Sequence, residues 1–233
     1  MGTVFSFDVR GQFDATAFAG VLERLHEWDA VFSTYRIDSA VSRLNRGEVS
    51  VDDCPADVAR VLALCGQAAE RTDGWFSAWA GGVLDPSGIV KGWAVQQASE
   101  LLRAAGGSAH IVNGGGDIQS AGGPWRFGIT DPQDSRRLLT VVGGVDLAVA
   151  TSGSAERGNH ILNPFTRRPA TDLLSVTVVG PSLTDADVYA TAAFAMGDAA
   201  RDWLKTLEGY GALVVGRDGA MWRTPDLPEV SSR

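Results

Sequence analysis

Apolar residues recur along this chain at two periods, and the switching between them sets the expected order of elements. Over 14–32, Ala17, Val21, Leu22, Leu25, Trp28 and Val31 fall at helical spacing, which predicts an amphipathic helix. A second helix is predicted over 57–71. A third is predicted over 91–105, with Trp93, Val95, Ala98, Leu101 and Leu102 as its apolar face and Gly106-Gly107 as its stop. A fourth runs over 184–196 and ends at Gly197. The segments MGTVFSFDV, WRFGITDP, RLLTVVGGVDLAVATSG and LLSVTVVGP instead read as strands. HIVNGGGDIQSAGG reads as strand, glycine turn and strand, and STYRIDSAVSRLN as a loop with a short helix. RDWLKTLEGYGALVVGRDGAMWRT reads as helix, strand, turn and strand.

Strands and helices do not alternate as they do in a doubly wound sheet, so the expected class is α+β. No internal repeat or plain linker divides the chain. One domain is expected over 1–224, with a flexible tail over 225–233.

Composition narrows the function classes. The chain has 233 residues, 45% hydrophobic and 21% charged, the balance of a folded globular protein. Its net charge is −8 and it has no long Lys/Arg run, which argues against nucleic acid as a partner. An anionic ligand remains compatible where positive charge is local or a metal supplies it. Cys54 and Cys65 form no CxxC pair, so free thiols are the simplest expectation. No apolar run reaches the length of a membrane span. MGTVFSFDVRG has neither a basic n-region nor a hydrophobic h-region, so the chain as written is expected in the cytoplasm. An N-terminus trimmed of a leader would look the same and is compatible with export.

Five constellations carry candidate chemistry. In DPSGIVKGWAV, glycines and Lys91 stand at a helix entrance, which suits phosphate, but an ordinary turn with a solvated lysine explains them too. The Walker A spacing is absent. In TDADVYATAAFAMG, Asp187 and Thr191 are four apart and share a helix face, where a carboxylate and a hydroxyl can bind a hard cation. Thr184 and Asp187 also have the spacing of a capping box. In SGSAERGNHILNPFT, His160 is either a general base or a surface histidine. In VNGGGDIQS, Asn113 and Asp117 flank three glycines, which form either a ligand loop or a tight hairpin turn. Tyr35 in FSTYRIDSAVSRLN either stacks on a flat ring or belongs to the core. NGGGD lacks the GxGxxG spacing and precedes a strand, so a Rossmann site is not expected.

Taken in order along the chain, FSTYRIDSAVSRLN, DPSGIVKGWAV, NGGGDI, SGSAERGNHILNPFTRRPA and DADVYATAAFAMG resemble the FAD:protein FMN transferase family, the ApbE-like flavin transferases. The resemblance runs from Met1 to about Gly197. It implies an α+β fold with a T-fold-like core and a cofactor cleft between two closely joined lobes. It also implies Mg²⁺-dependent transfer of FMN from FAD to a threonine hydroxyl of a target protein, with release of AMP. FAD hydrolysis to FMN and AMP, or FAD binding without catalysis, are the alternatives. Carried over by motif, Asp187, Thr191 and the backbone carbonyl of Val90 would hold Mg²⁺. Lys91 would sit near the phosphates or flavin, and His160 or Asp117 would take the proton of the incoming threonine. Met1 and Tyr35 would contact the adenosine end. Asn113, Gly115, Gly116 and Asp117 would line the flavin side, and Ser152 would join the cofactor contacts. The implied partner is a separate acceptor flavoprotein with an Asp/Ser-Gly-x-Thr-like motif.

Three segments depart from the family's pattern. Asn163 stands where an aspartate is common, which removes a carboxylate beside His160. Ala155 replaces a frequent tyrosine. GIVKGWAVQ replaces GIAKGYAVD.

Overall fold

The computed structural model describes residues 2–154, 158 and 160–230. The strands are β1 (Phe5–Arg10), β2 (Ala109–Gly114), β3 (Asp117–Ala121), β4 (Trp125–Asp131), β5 (Asp134–Gly144), β6 (Ala148–Gly153), β7 (Leu173–Gly180), β8 (Gly211–Gly216) and β9 (Met221–Arg223). The α-helices are α1 (Ala15–Phe32), α2 (Ala40–Asn45), α3 (Ala56–Arg71), α4 (Ser87–Ala104), α5 (Leu183–Met196) and α6 (Ala200–Leu204). Seven strands form one sheet in the order β1-β2-β3-β6-β7-β8-β9, while β4 and β5 pair separately. Every neighbouring pair is antiparallel, which gives the expected α+β architecture.

The period-2 pattern assigns the two faces of the large sheet. Ala148 and Ala150 of β6, Val176 and Val178 of β7, and Ala212 and Val214 of β8 join the main core with α4 and α5. Their alternates Val149, Val179 and Leu213 join a second core with Trp125, Phe127, Ile129 and Val142 of the β4–β5 hairpin. The sheet is thus covered by helices on one face and by a hairpin on the other. The cleft described below opens between the hairpin, the sheet end and the loops beside α4.

Local chemistry explains most helix boundaries. Asp14 caps α1 by accepting from the Thr16 amide at 2.9 Å. The expected apolar stripe is realised by Val21, Leu25 and Trp28, all buried, with Phe32 extending it. The Trp28 ring meets Trp93 of α4 edge-on at 4.9 Å, docking α1 on the central helix.

Three elements differ from the sequence expectation. Helix α4 begins at Ser87, four residues before Lys91, so both glycines of GIVKG lie inside it rather than in a turn leading to it. Helix α5 is capped by Ser182, whose hydroxyl accepts from the Asp185 amide at 3.3 Å. Thr184 and Asp187 therefore do not form the expected capping box and are turned toward α4 instead. Residues 225–230 fall within the expected tail but are packed. Leu227 is buried, Pro228 accepts from the Gly143 amide at 3.0 Å, and the Val230 amide donates to Val141 at 2.9 Å.

Both cysteines are free. Burial pushes the Cys65 thiol up to about 12, so it is inert near neutral pH. No helix of the described residues is long and apolar enough to cross a membrane.

Candidate active site

Helices α4 and α5 approach so closely that one residue must lack a side chain. A Cβ on Gly92 would lie 2.7 Å from Asp187 Cβ and 2.7 Å from the Leu183 carbonyl oxygen. With no Cβ there, the Gly92 amide reaches across and donates to Asp187 Oδ2 at 2.9 Å. In an uninterrupted α-helix that amide serves the carbonyl of Gly88. The second glycine of GIVKG is thus a helix-crossing residue that lets a buried carboxylate stand beside the first turn of α4.

One turn further along α5, the Thr191 hydroxyl lies 3.2 Å from Ser152 Oγ on β6. Gly88 faces this hydroxyl. A Cβ on Gly88 would be 3.7 Å from Thr191 Oγ1 and 3.2 Å from the Phe76 ring. Asp187, Thr191, Ser152 and Gly88 therefore converge from α5, β6 and α4. All four line a single cleft of about 850 Å³, within the usual range for cofactor sites.

Lys91 and Asp117 occupy the same cleft, with Lys91 Nζ 2.6 Å from Asp117 Oδ2. Asp117 is 1% exposed, and its other oxygen accepts from the Thr151 amide at 3.1 Å. The carboxylate holds the lysine ammonium within the cleft.

The glycine segment forms the tight hairpin turn, and that turn lies at the cleft. Gly114 pairs with Asp117, leaving Gly115 and Gly116 as a two-residue hairpin turn with φ of +62° and +94°. Positive φ at both positions is the type I′ requirement, which glycine meets without strain. Asn113 Oδ1 accepts from the Gly116 amide at 2.9 Å and closes the turn. The same Asn113, Gly115 and Gly116 line the cleft.

His160 lies at the cleft and is exposed, with Nδ1 3.1 Å from the Gly158 carbonyl. The Asn163 side-chain oxygen is engaged in its own turn. Asn163 Oδ1 accepts from the Phe165 and Thr166 amides, each at 3.0 Å, and so builds the local NPFT turn. An aspartate could make the same two bonds.

Two expected contacts do not line the cleft. Tyr35 is 94% exposed and does not line the cleft, because the α1–α2 loop turns it to solvent. Val90 is buried in the body of α4, where helical bonding claims its carbonyl, and it too is absent from the cleft wall. Met1 lies outside the described residues, as does Ala155.

One wall has no counterpart in the sequence expectation. Phe127, Gly128, Ile129 and Thr130 of β4, with Asp131, Pro132, Gln133 and Ser135, close the cleft opposite α4. The alternation in WRFGITD shows a strand but not which sheet face it covers. Asp85 is a second such residue; it lines the cleft and accepts from the Ser87 amide at 3.0 Å.

The charges around the cleft decide what it can hold. Among the described lining residues there are four aspartates, at 85, 117, 131 and 187, and a single lysine. A pyrophosphate could not sit against this wall on Lys91 alone. The oxygen donors of Asp187 and Thr191 suit a hard divalent cation, which would reverse the local sign. No group of three His, Cys, Asp or Glu side chains occurs among the described residues, so such a cation would depend on mixed donors and on its ligand.

Fold and site together define an α+β protein with an open cleft that pairs hard oxygen donors with a fixed lysine. A family model described as the ApbE family matches residues 1–83 and 77–214, and the chain belongs to that family. It is 28% identical over 166 residues to the FAD:protein FMN transferase of Escherichia coli (strain K12), covering 64% of this chain and 47% of that protein. It is 34% identical over 163 residues to the FAD:protein FMN transferase of Rhodobacter capsulatus, covering 62% of this chain and 30% of that one. These matches span about half or less of the curated relatives' length. The fold superposes on the flavin transferase ApbE from Vibrio cholerae with a TM-score of 0.82 at 23% identity, covering 97% of this chain and 94% of that one. The apo flavinyl transferase ApbE of Pseudomonas stutzeri gives a TM-score of 0.82 at 25% identity, with 97% and 92% covered.

Proposed function

We propose that this chain transfers FMN from FAD to a threonine hydroxyl of an acceptor flavoprotein, with Mg²⁺ as cofactor and AMP as the leaving product. Family membership and the named relatives support flavin transfer. The observation that carries the metal requirement is the acidic wall: a cleft with four aspartates and one lysine needs a cation to accept a pyrophosphate.

Asp187 and Thr191 are the side-chain donors for that cation. A backbone carbonyl of α4 completes the set: Val90, as the family motif implies, or Gly88, which faces Thr191 and lines the cleft. When bound, Mg²⁺ supplies charge neutralisation at the two phosphates and at the oxygen on which AMP departs.

The chain's own residues do the rest. Asp117 holds Lys91 so that its ammonium faces the phosphates without searching among rotamers. The glycine turn at 115–116 brings backbone close to the flavin side, where no Cβ obstructs it. His160, exposed at the cleft, accepts the proton of the incoming threonine, which is a weak nucleophile near neutral pH. With both Asp117 oxygens engaged, His160 is the preferred base. The acceptor threonine lies in a short Asp/Ser-Gly-x-Thr-like segment of a separate protein. The bond formed is a phosphoester, so the product retains its FMN without relying on binding.

The test incubates the protein with FAD, Mg²⁺ and an acceptor domain, following acceptor mass and AMP. An acceptor heavier by one FMN residue with equimolar AMP is expected. Asp187→Ala is expected to abolish this while leaving a folded protein. Free FMN and AMP with an unmodified acceptor would establish hydrolysis instead, and transfer undiminished in Asp187→Ala would remove the metal assignment.

A further inference from the structure

Beside the cleft, two loops combine exposed apolar side chains with cations that no described residue pairs. The segment between α3 and α4 exposes Trp79 at 59% and Val83 at 56%, and the segment between β6 and β7 exposes Phe165 at 63%. These loops form one surface. The Phe165 ring meets Trp75 edge-on at 4.8 Å, and Leu162 Cδ1 lies 3.8 Å from where a Gly81 Cβ would be. Trp75, Gly81, Val83 and Leu162 line the cleft itself, so the patch is continuous with the cleft rather than remote from it.

Arg167 and Arg168 are exposed on the same turn as Phe165. Ten other arginines are held in ion pairs; Arg167 and Arg168, like the exposed Arg60, Arg201 and Arg217, form none with a described residue. What sets Arg167 and Arg168 apart is their place beside three exposed apolar side chains at the cleft mouth, in a chain of net charge −8. Apolar anchors rimmed by like charges are the composition of a protein-binding surface.

We propose that Trp79, Val83, Phe165, Arg167 and Arg168 form the docking surface for the acceptor protein, and that the acceptor presents an acidic stretch next to its target threonine. The inference rests on the transferase reading. An acceptor hydroxyl that reaches into the cleft must bring the rest of its segment over this rim. The arginines then select acidic partners and speed encounter, while Trp79 and Phe165 hold the docked state.

The test uses Trp79→Ser and the double variant Arg167→Glu/Arg168→Glu, neither of which alters a cleft-lining residue. The probe is an acceptor domain whose threonine is flanked by Asp or Glu, alongside one with those carboxylates changed to Lys. FAD affinity, read by flavin fluorescence, and thermal stability serve as controls. We expect kcat/KM for the acidic acceptor to fall about tenfold or more in each variant, through KM, with FAD affinity unchanged. The charge-reversed enzyme should recover activity on the Lys-flanked acceptor, and the wild-type rate should fall with salt. Unchanged KM in both variants, or no recovery on the swapped acceptor, would overturn the docking surface while leaving the transferase reading intact. A wild-type protein that binds FAD and modifies neither acceptor would overturn that reading and the docking surface with it.

Discussion

Gly92→Ala tests the joint on which the site is built. The added Cβ would sit 2.7 Å from both Asp187 Cβ and Leu183 O, whereas carbon contacts settle near 3.5–4.0 Å, so α4 and α5 must part by about 1 Å. The Gly92–Asp187 bond of 2.9 Å would then stretch beyond hydrogen-bonding distance. Overpacking costs about 1–3 kcal/mol and losing a bond to a charged acceptor about 1.5–3. These overlap, because parting the helices relieves the clash and breaks the bond at once. Replacing glycine within a helix returns about 1 kcal/mol. The net expectation is a loss of about 2 kcal/mol in urea unfolding. Activity should fall further than stability accounts for, by about a hundredfold, because a 1 Å shift misplaces Asp187. Gly66 in α3 is the control: nothing lies within 4 Å of where its Cβ would stand, so Gly66→Ala should be neutral or stabilise by about 0.5–1 kcal/mol. Gly92→Ala with wild-type stability and wild-type Mg²⁺-dependent turnover would refute the close-crossing argument.

Other expectations follow from the same geometry. Gln96 Oε1 accepts from Ser182 Oγ, the Thr184 amide and Thr184 Oγ1 at 3.1, 3.0 and 2.9 Å, tying the start of α5 to α4. Gln96→Leu should therefore weaken Mg²⁺ activation about tenfold while the chain stays folded, and an unchanged Mg²⁺ titration would count against that tie. His160→Ala should lower kcat by about 10²–10⁴ with little change in FAD affinity, and an undiminished kcat would exclude it as the base. His110 is fully buried between the Ser99 hydroxyl at 2.7 Å and the Gly107 carbonyl at 2.6 Å, and burial holds its pKa below the ordinary value. The unfolded chain therefore binds a proton that the folded chain refuses. This contribution to stability is present above about pH 6.5 and is lost as the pH falls from there toward the depressed folded value. Urea midpoints at pH 7.5 and 5.5 should differ more in the wild type than in His110→Gln, and equal differences would remove the assignment.

The element order is legible because the two hydrophobic periods are clean. Helix 14–32 and the strand–turn–strand around NGGGD need little more than spacing, and the capping side chain of Asp14 sharpens one boundary. What fails has a physical source. Spacing places the start of α4 too late because glycine is a poor helix former, yet Gly88 and Gly92 are needed there by contacts from Phe76, Thr191 and Asp187 that are remote in sequence. The same shift brings Gly88 as well as Val90 into consideration as the carbonyl donor. The Thr184–Asp187 pair has the spacing of a local cap, but its partners, Gln96 and Gly92, lie on another helix. The hairpin wall is invisible because alternation marks a strand without saying which sheet it covers. Asp187 and Thr191 emerge together because residues four apart on a helix share a face in any fold.

The last described residues make the cleft wall a shared responsibility of distant parts of the chain. Strand β5 is gripped along its outer edge by 228–230, and Glu229 takes the Thr140 hydroxyl at 2.7 Å and Arg223 at 2.9 Å. A shortened or tagged C-terminus would thus act as a change to the cleft, felt through the hairpin. Weak flavin binding by such a variant would report on an unfastened wall, and the proposed metal donors on α4 and α5 would be blameless.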